Sequence, residues 1–363
     1  MESKDEFSVK AQLYLALGSL LSGAVLVVYL GSRRLLQQTL EKREKHHGFE
    51  EVLNTDDTLA LPLMGSVVLF LAYVLLRFIP LEYFNALISV YLSIIGVFSL
   101  GAFVKTYINP NFFTGILCCA VGGIYYMKNG WIANNILAIA IAVRAIGSVH
   151  LGSFQSSFVM LLGLFLYDVF WVFGSDVMLT VASGINGPIK LVFPRAIFGD
   201  HQAVTLLGLG DLIIPGFFIA QTLLFSVEYV KRSTFYFEIA LVAYTLSLVN
   251  TMAVMLVFEH GQPALLFIVP WLLVTFLVSA AVKGDLKAVF DYNSDAVTLP
   301  LMDSTEEKKD DKLSENETDG TEDEDSLVSV LRGEILTLFG FEYMNKKSVQ
   351  SQKGNTKEKS KKE

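Results

Sequence analysis

Two aspartates sit where an aspartate is expensive. Asp168 is embedded in the apolar run from Leu161 to Phe173, and Asp211 in the run from Leu206 to Pro215. A carboxyl near the middle of a membrane helix costs about 2.5–3.5 kcal/mol on insertion scales, so such residues mark functional sites. Two carboxyls held together in a poorly solvated site cannot both ionise. One keeps a proton and the pair titrates as a unit. That state suits peptide hydrolysis. The ionised member takes a proton from an attacking water while the protonated member donates to the developing oxyanion. Judged on the residues alone, the pair also fits a proton relay in a transporter or channel, a helix-to-helix hydrogen bond, or a silent chaperone for signal anchors. Inverted repeats would favour a transporter, and no two halves of this chain match.

The elements that must position these acids are membrane helices. Of the 363 residues, 53% are hydrophobic and only 18% charged, against about 25% charged in soluble domains. The apolar residues fall in runs of about twenty, the length that crosses hydrocarbon. Nine spans are expected: Ala11–Leu30, Leu59–Phe78, Tyr83–Tyr107, Phe112–Met127, Trp131–Val149, Phe154–Ser175, Val204–Phe225, Phe235–Phe258 and Pro263–Val282. The first reads as a retained helix rather than a signal peptide, because it is long and Arg33 and Arg34 follow it directly. Asp168 then lies near the end of the sixth span and Asp211 near the start of the seventh. Consecutive spans run antiparallel, so both carboxyls fall about 10 Å below one face.

Lys and Arg in short loops set orientation. Arg33, Arg34, Lys42, Arg43, Lys45, Lys231, Arg232, Lys283 and Lys287 share one side of a nine-span chain, while Lys190 and Arg195 lie on the other. The expected layout is a short lumenal N-terminus (1–10), a nine-helix domain (11–293) and a cytoplasmic tail (294–363). Asp303 to Asp325 carries a net charge of about −9, so the overall −8 leaves the remainder near neutral. That excludes a basic field for nucleic acid. The acidic and lysine-rich tail cannot bury enough apolar surface to order itself. Within it, Val328–Tyr343 is mildly amphipathic, and Asn316 heads a glycosylation triplet that the cytoplasmic side leaves unmodified.

Gly208 and Gly210 remove side chains where a substrate backbone must approach Asp211. Pro215 and Gly216 weaken the helix one turn on. Arg144, His150 and Glu238 are polar groups in or near spans with structural roles expected, and Asp176 is expected to face water. Cys118 and Cys119 are adjacent and read as small apolar side chains. There is no His-Glu-x-x-His, and the five histidines, His46 and His47 among them, form no ligand cluster, so neither a metal nor another cofactor is expected.

Tyr167-Asp168, Gly208-Leu209-Gly210-Asp211 and Gln262-Pro263-Ala264-Leu265 resemble, in order and spacing, the YD, GxGD and PAL motifs of the presenilin and signal peptide peptidase aspartyl proteases. The segments from Trp131 to Leu137, Phe170 to Phe173 and Pro188 to Pro194 resemble the signal peptide peptidase branch. The short loop between the Asp spans departs from presenilin. The resemblance implies an all-α, presenilin-like polytopic fold with catalytic helices near 154–175 and 204–225 and a PAL helix near 263–282. It implies Asp168 and Asp211 as catalytic residues, with Tyr167, Gly208, Leu209, Gly210, Gln262, Pro263, Ala264 and Leu265 supporting the site. It also implies an endoplasmic reticulum enzyme that cuts type II-oriented membrane segments, including leftover signal peptides, within the lipid bilayer; a homo-oligomer is left open. By the same analogy Lys190 and Phe193 belong to a short strand that pairs with substrate. Lys359 and Lys361 fit a dibasic retrieval pattern on the cytoplasmic side.

Overall fold

The computed structural model describes residues 2–44, 52–53, 55–107, 112–128, 130–174, 187–195, 204–231, 234–258 and 262–293. The acidic segment, Val328–Tyr343, Asn316, the Lys359/Lys361 pattern, Asp176, His46 and His47 lie outside these residues. The helices are α1 (Glu2–Glu44), α2 (Thr55–Phe78), α3 (Leu81–Tyr107), α4 (Phe112–Lys128), α5 (Trp131–Ser148), α6 (Phe154–Gly174), α7 (Gly210–Leu224), α8 (Phe235–Phe258), α9 (Leu265–Lys283) and the short α10 (Leu286–Asp291). A π-helical turn, Phe225–Tyr229, extends α7. Among the described residues, eight helices are long and apolar enough to cross a membrane, and α4 is a shorter apolar helix. The chain is an all-α polytopic membrane protein.

Burial divides these helices as a bilayer demands. Leu63, Val68 and Phe70 of α2 and Val274 and Val278 of α9 stay exposed, because the lipid is as apolar as they are. Inside the bundle, Ala24, Val27 and Val28 of α1, Ala138 and Ile146 of α5, and Phe218 and Ile219 of α7 are fully buried. α1 packs mainly on α5 and α7, whereas α6 packs mainly on α2 and α9. The two Asp-bearing helices therefore belong to different packing groups.

Small residues let these helices close up. A methyl group on Gly163 of α6 would meet Pro62 Cγ of α2 at 2.8 Å, and one on Gly216 of α7 would meet Ile146 Cδ1 at 2.5 Å. Close backbone approach through small residues is the usual way membrane helices associate. Gly216 thus serves packing; any softening of the helix is left to Pro215.

Two short sheets interrupt the helices. Val52–Leu53 (β1) runs parallel to His150–Leu151 (β2). Lys190–Pro194 (β3) pairs antiparallel with Val204–Gly208 (β4), in the register Lys190 to Gly208 and Val192 to Leu206. This corrects the seventh span. Its first five residues are strand, and the helix starts only at Gly210. The depth of Asp211 changes with it. Asp211 is the second residue of α7, and the strand before it advances about 3.3 Å per residue rather than 1.5 Å. The other spans lie close to their expected limits, except that α1 runs well beyond Ala11–Leu30 at both ends.

Candidate active site

Asp168 lies two turns before the end of α6 and is only 5% exposed. A carboxyl buried so deeply needs a hydrogen-bonding partner. It finds one in a helix terminus, where the first-turn N–H groups have no acceptor of their own. Leu265 opens α9, and its N–H donates to Asp168 Oδ2 at 3.0 Å. Ala264 is the N-cap residue, with no side-chain cap of its own. Pro263 and Leu265 are buried. The Pro-Ala-Leu segment therefore acts through its backbone, by delivering an amide to a carboxylate.

Asp211 is half-buried in the first turn of α7, at the positive end of the helix dipole. The Tyr244 hydroxyl of α8 donates to the Asp211 backbone carbonyl at 3.2 Å. Different neighbours thus hold the two acids: α9 grips Asp168 and α8 grips Asp211.

The glycines behave differently from one another. A methyl group on Gly208 would stand 3.5 Å from Asp211 Oδ2, whereas one on Gly210 would meet nothing within 4 Å. The space beside Gly210 is open, directly next to Asp211 in the chain. Leu209 between them is buried and donates its N–H to the Ile189 carbonyl at 2.9 Å. The Tyr167 ring packs along Gly65 of α2, within 3.5 Å of where a Cβ would be. One turn on, Trp171 Nε1 donates to Ser66 Oγ at 3.1 Å. Gln262 is half-buried just before α9.

The small sheet is anchored by side chains whose role the sequence reading did not assign. Asn134 Nδ2 donates to the Lys190 carbonyl at 2.8 Å, and Asn135 Nδ2 donates to the Val192 carbonyl at 2.8 Å. The Val192 N–H donates back to Asn135 Oδ1 at 2.9 Å. Two adjacent amides at the start of an apolar helix were the available signal, since such groups are retained where they find partners. The consequence is topological. β3 has β4 on one edge and the asparagines on the other. Lys190 and Phe193 do form part of a strand, but neither edge of it is open to a further chain.

The open edge belongs to β4. Val192 directs both backbone groups at Asn135, so its pair with Leu206 is the non-hydrogen-bonded kind. By alternation the N–H and C=O of Val204, Leu206 and Gly208 point away from β3. Among the described residues no backbone bond reaches them. This edge leads through Leu209 and Gly210 straight into Asp211.

His150 and Glu238 each have a side-chain partner away from the acids. His150 Nε2 lies 3.0 Å from Thr39 Oγ1, and the Thr234 hydroxyl donates to Glu238 Oε1. Cys118 is buried, Cys119 exposed, and both are free.

Residues 109–296 match the protein family described as signal peptide peptidase. The chain is 32% identical to the signal peptide peptidase of Mus musculus over 332 residues, covering 81% of this chain and 87% of that protein. It is 32% identical to the signal peptide peptidase of Homo sapiens over 315 residues, covering 77% and 83%. It is also 40% identical to intramembrane protease 2 of Caenorhabditis elegans over 194 residues, covering 49% and 42%. A bundle of apolar helices that closes around two acids and a strand edge, and matches such relatives over most of its length, belongs to the signal peptide peptidase family of intramembrane proteases.

Proposed function

We propose that this family member is an aspartyl endopeptidase of the endoplasmic reticulum membrane. It hydrolyses peptide bonds within type II-oriented transmembrane segments, leftover signal peptides among them. The observation that carries this reading is a buried Asp168 carboxyl held by the Leu265 amide on one membrane helix, with Asp211 opening another directly after the unpaired β4 edge.

A transmembrane substrate enters as a helix, whose peptide bonds are closed to water. Unwinding it inside the bilayer frees backbone groups that need partners there. The outer edge of β4 supplies them by strand addition, with Val204, Leu206 and Gly208 as the pairing residues. The substrate backbone then lies along Gly208 and Gly210, next to Asp211. Asp168 and Asp211 share one proton between them. The ionised carboxylate removes a proton from water as its oxygen attacks the scissile carbonyl carbon. The protonated carboxyl gives its proton to the carbonyl oxygen, forming a neutral gem-diol. Collapse breaks the C–N bond: the leaving nitrogen takes a proton from the protonated member while the ionised member takes one from a gem-diol hydroxyl, which leaves one proton on the pair. The amide of Leu265 holds Asp168 in register throughout, and Gln262, Pro263 and Ala264 position that amide. Tyr167 supports the site by packing α6 against α2.

Arg33, Arg34, Lys231, Lys283 and Lys287 support a lumenal N-terminus and a cytoplasmic tail. The reading is tested with the purified full chain and a helix-destabilised type II substrate. Wild type cleaves it, and Asp168→Ala and Asp211→Ala each abolish cleavage while remaining folded. A hydroxyl-bearing transition-state mimic cross-links to α6 and α7. Ion transport by wild type without cleavage would instead support the relay. An acceptor site for N-glycosylation placed before residue 10 becomes glycosylated in microsomes if the N-terminus is lumenal.

A further inference from the structure

α6 and α7 are bonded to each other far from the acids. The Ser157 hydroxyl of α6 donates to Gln221 Oε1 of α7. The same Gln221 donates through Nε2 to the Leu151 carbonyl at 3.4 Å, tying α7 to β2 just ahead of α6. Ser157 and Gln221 are 0% and 2% exposed. An amide and a hydroxyl so buried are retained when they are paired, because leaving either alone is costly.

The position of this bond in each helix is informative. Ser157 precedes Asp168 by eleven residues, and Gln221 follows Asp211 by ten. At 1.5 Å per residue both lie about 15–17 Å from their acid. The rung therefore connects equal heights on two antiparallel helices. Ring contacts gather at the same end. Phe154 meets Phe225 with centroids 5.1 Å apart, and Phe158 meets Phe218 at 6.2 Å. At the acid end each helix is held by another element: Asp168 by the Leu265 amide, and the Asp211 backbone by Tyr244.

We propose that the Ser157–Gln221 pair is the pivot that sets the register and separation of Asp168 and Asp211. This rests on the reading of those two residues as the catalytic pair. Ser157 and Gln221 are positioning residues that touch no substrate. Together with the Phe154–Phe225 and Phe158–Phe218 contacts, they join the far ends of two helices that pack mainly on other neighbours. A rotation or one-residue slip of α7 against α6 would break the rung and carry Asp211 away from Asp168.

Removing both partners leaves neither the hydroxyl nor the amide unpaired, and the Leu151 carbonyl loses its Gln221 donor in the double variant Ser157→Ala/Gln221→Leu as it does in Gln221→Leu alone, which serves as its control. Two readouts are taken on the full chain. The first is independent of catalysis. In a background with Cys118→Ser and Cys119→Ser, Asp168→Cys and Asp211→Cys are joined by a short bis-methanethiosulfonate reagent. The cross-linking rate is expected to fall several-fold when the double variant is added, with the helical content unchanged. The second is kinetic, with both acids intact. The double variant is expected to lower kcat about 10- to 100-fold, the effect of misplacing reacting groups by about an ångström. KM stays unchanged, since the β4 edge is untouched. Ser157→Thr, which keeps the hydroxyl, retains wild-type kcat. A double variant with wild-type cross-linking and kcat overturns the pivot, as does a rise in KM alone. Failure of the parent cysteine pair to cross-link, or cleavage by Asp168→Ala, overturns the underlying catalytic pair instead.

Discussion

Leu265 and Asp168 are 97 residues apart in sequence, and the backbone N–H of one meets the carboxyl of the other at 3.0 Å. A helix terminus thereby becomes part of a carboxylate's environment, and the bond survives any side chain at position 265. Its effect is isolated by changing the backbone. Replacing Leu265 with the corresponding α-hydroxy acid turns the amide into an ester and deletes the donor without altering shape. Hydrogen bonds to charged groups contribute about 1.5–3 kcal/mol. The ester is expected to lower kcat about 10- to 100-fold in the cleavage assay. Leu265→Val keeps the donor and retains most of the activity. Equal rates for ester and amide would remove the Leu265 amide from the mechanism.

Gly210 and Gly216 share a helix and respond oppositely to a methyl group. At Gly210 the added carbon meets open space, so Gly210→Ala leaves stability within about 0.5 kcal/mol. It intrudes on the proposed substrate path, and kcat/KM is expected to fall by about tenfold or more. At Gly216 the carbon strikes Ile146 Cδ1 at 2.5 Å and Cγ1 at 2.9 Å. Ile146 is fully buried and cannot step aside, so Gly216→Ala costs about 1–3 kcal/mol by overpacking. Ile146→Val removes the Cδ1 atom and recovers part of that loss. Thermal midpoints in detergent, read beside specific activity, separate the two glycines.

The pair of acids was legible in the sequence because a carboxyl in an apolar run is costly enough to stand out. The helices were legible because apolar runs of membrane length have few other uses. Val204 to Gly208 was not. A short apolar run before a helix has no period that separates strand from helix, and its partner strand, Lys190–Pro194, is a separate stretch of sequence. Asn134 and Asn135 were visible as part of a family-like segment, yet their task depends on which backbone comes to them. Ser157 and Gln221 were invisible for the same reason: a serine and a glutamine in separate spans acquire meaning only when packing sets their heights equal.

Asn135 carries both free backbone groups of Val192, so its loss has a local signature. Asn135→Ala leaves a part-buried N–H and C=O without partners, a penalty of up to about 1–3 kcal/mol for each group not rescued by water. Hydrogen exchange at the Val192 amide is expected to accelerate by at least about tenfold, with slower exchange retained in α8. Cleavage falls because β4 loses its support. Asn135→Asp keeps the acceptor for the Val192 N–H and protects that amide more than alanine does. Unchanged exchange at Val192 in the alanine variant would show that the asparagine is dispensable to the strand.

The last test lies at the end of the bundle away from the sheet. The Tyr236 hydroxyl, on a fully buried ring, donates to Asp285 Oδ2 at 2.6 Å. Asp285 in turn accepts the Val289 N–H through its backbone carbonyl at 3.0 Å, starting α10. This chain of bonds seats α10 and Tyr292 against an aromatic cluster in which Phe154 stacks on Phe276 at 4.8 Å. Tyr236→Phe deletes the hydroxyl and keeps the ring. It is expected to cost about 1.5–3 kcal/mol, the range for a hydrogen bond to a charged acceptor. Exchange at the Val289 amide rises with it, while kcat stays near wild type because the acids are held by α8 and α9. A large fall in kcat at full folding would instead tie the seating of α10 to the end of the bundle that holds Asp168 and Asp211.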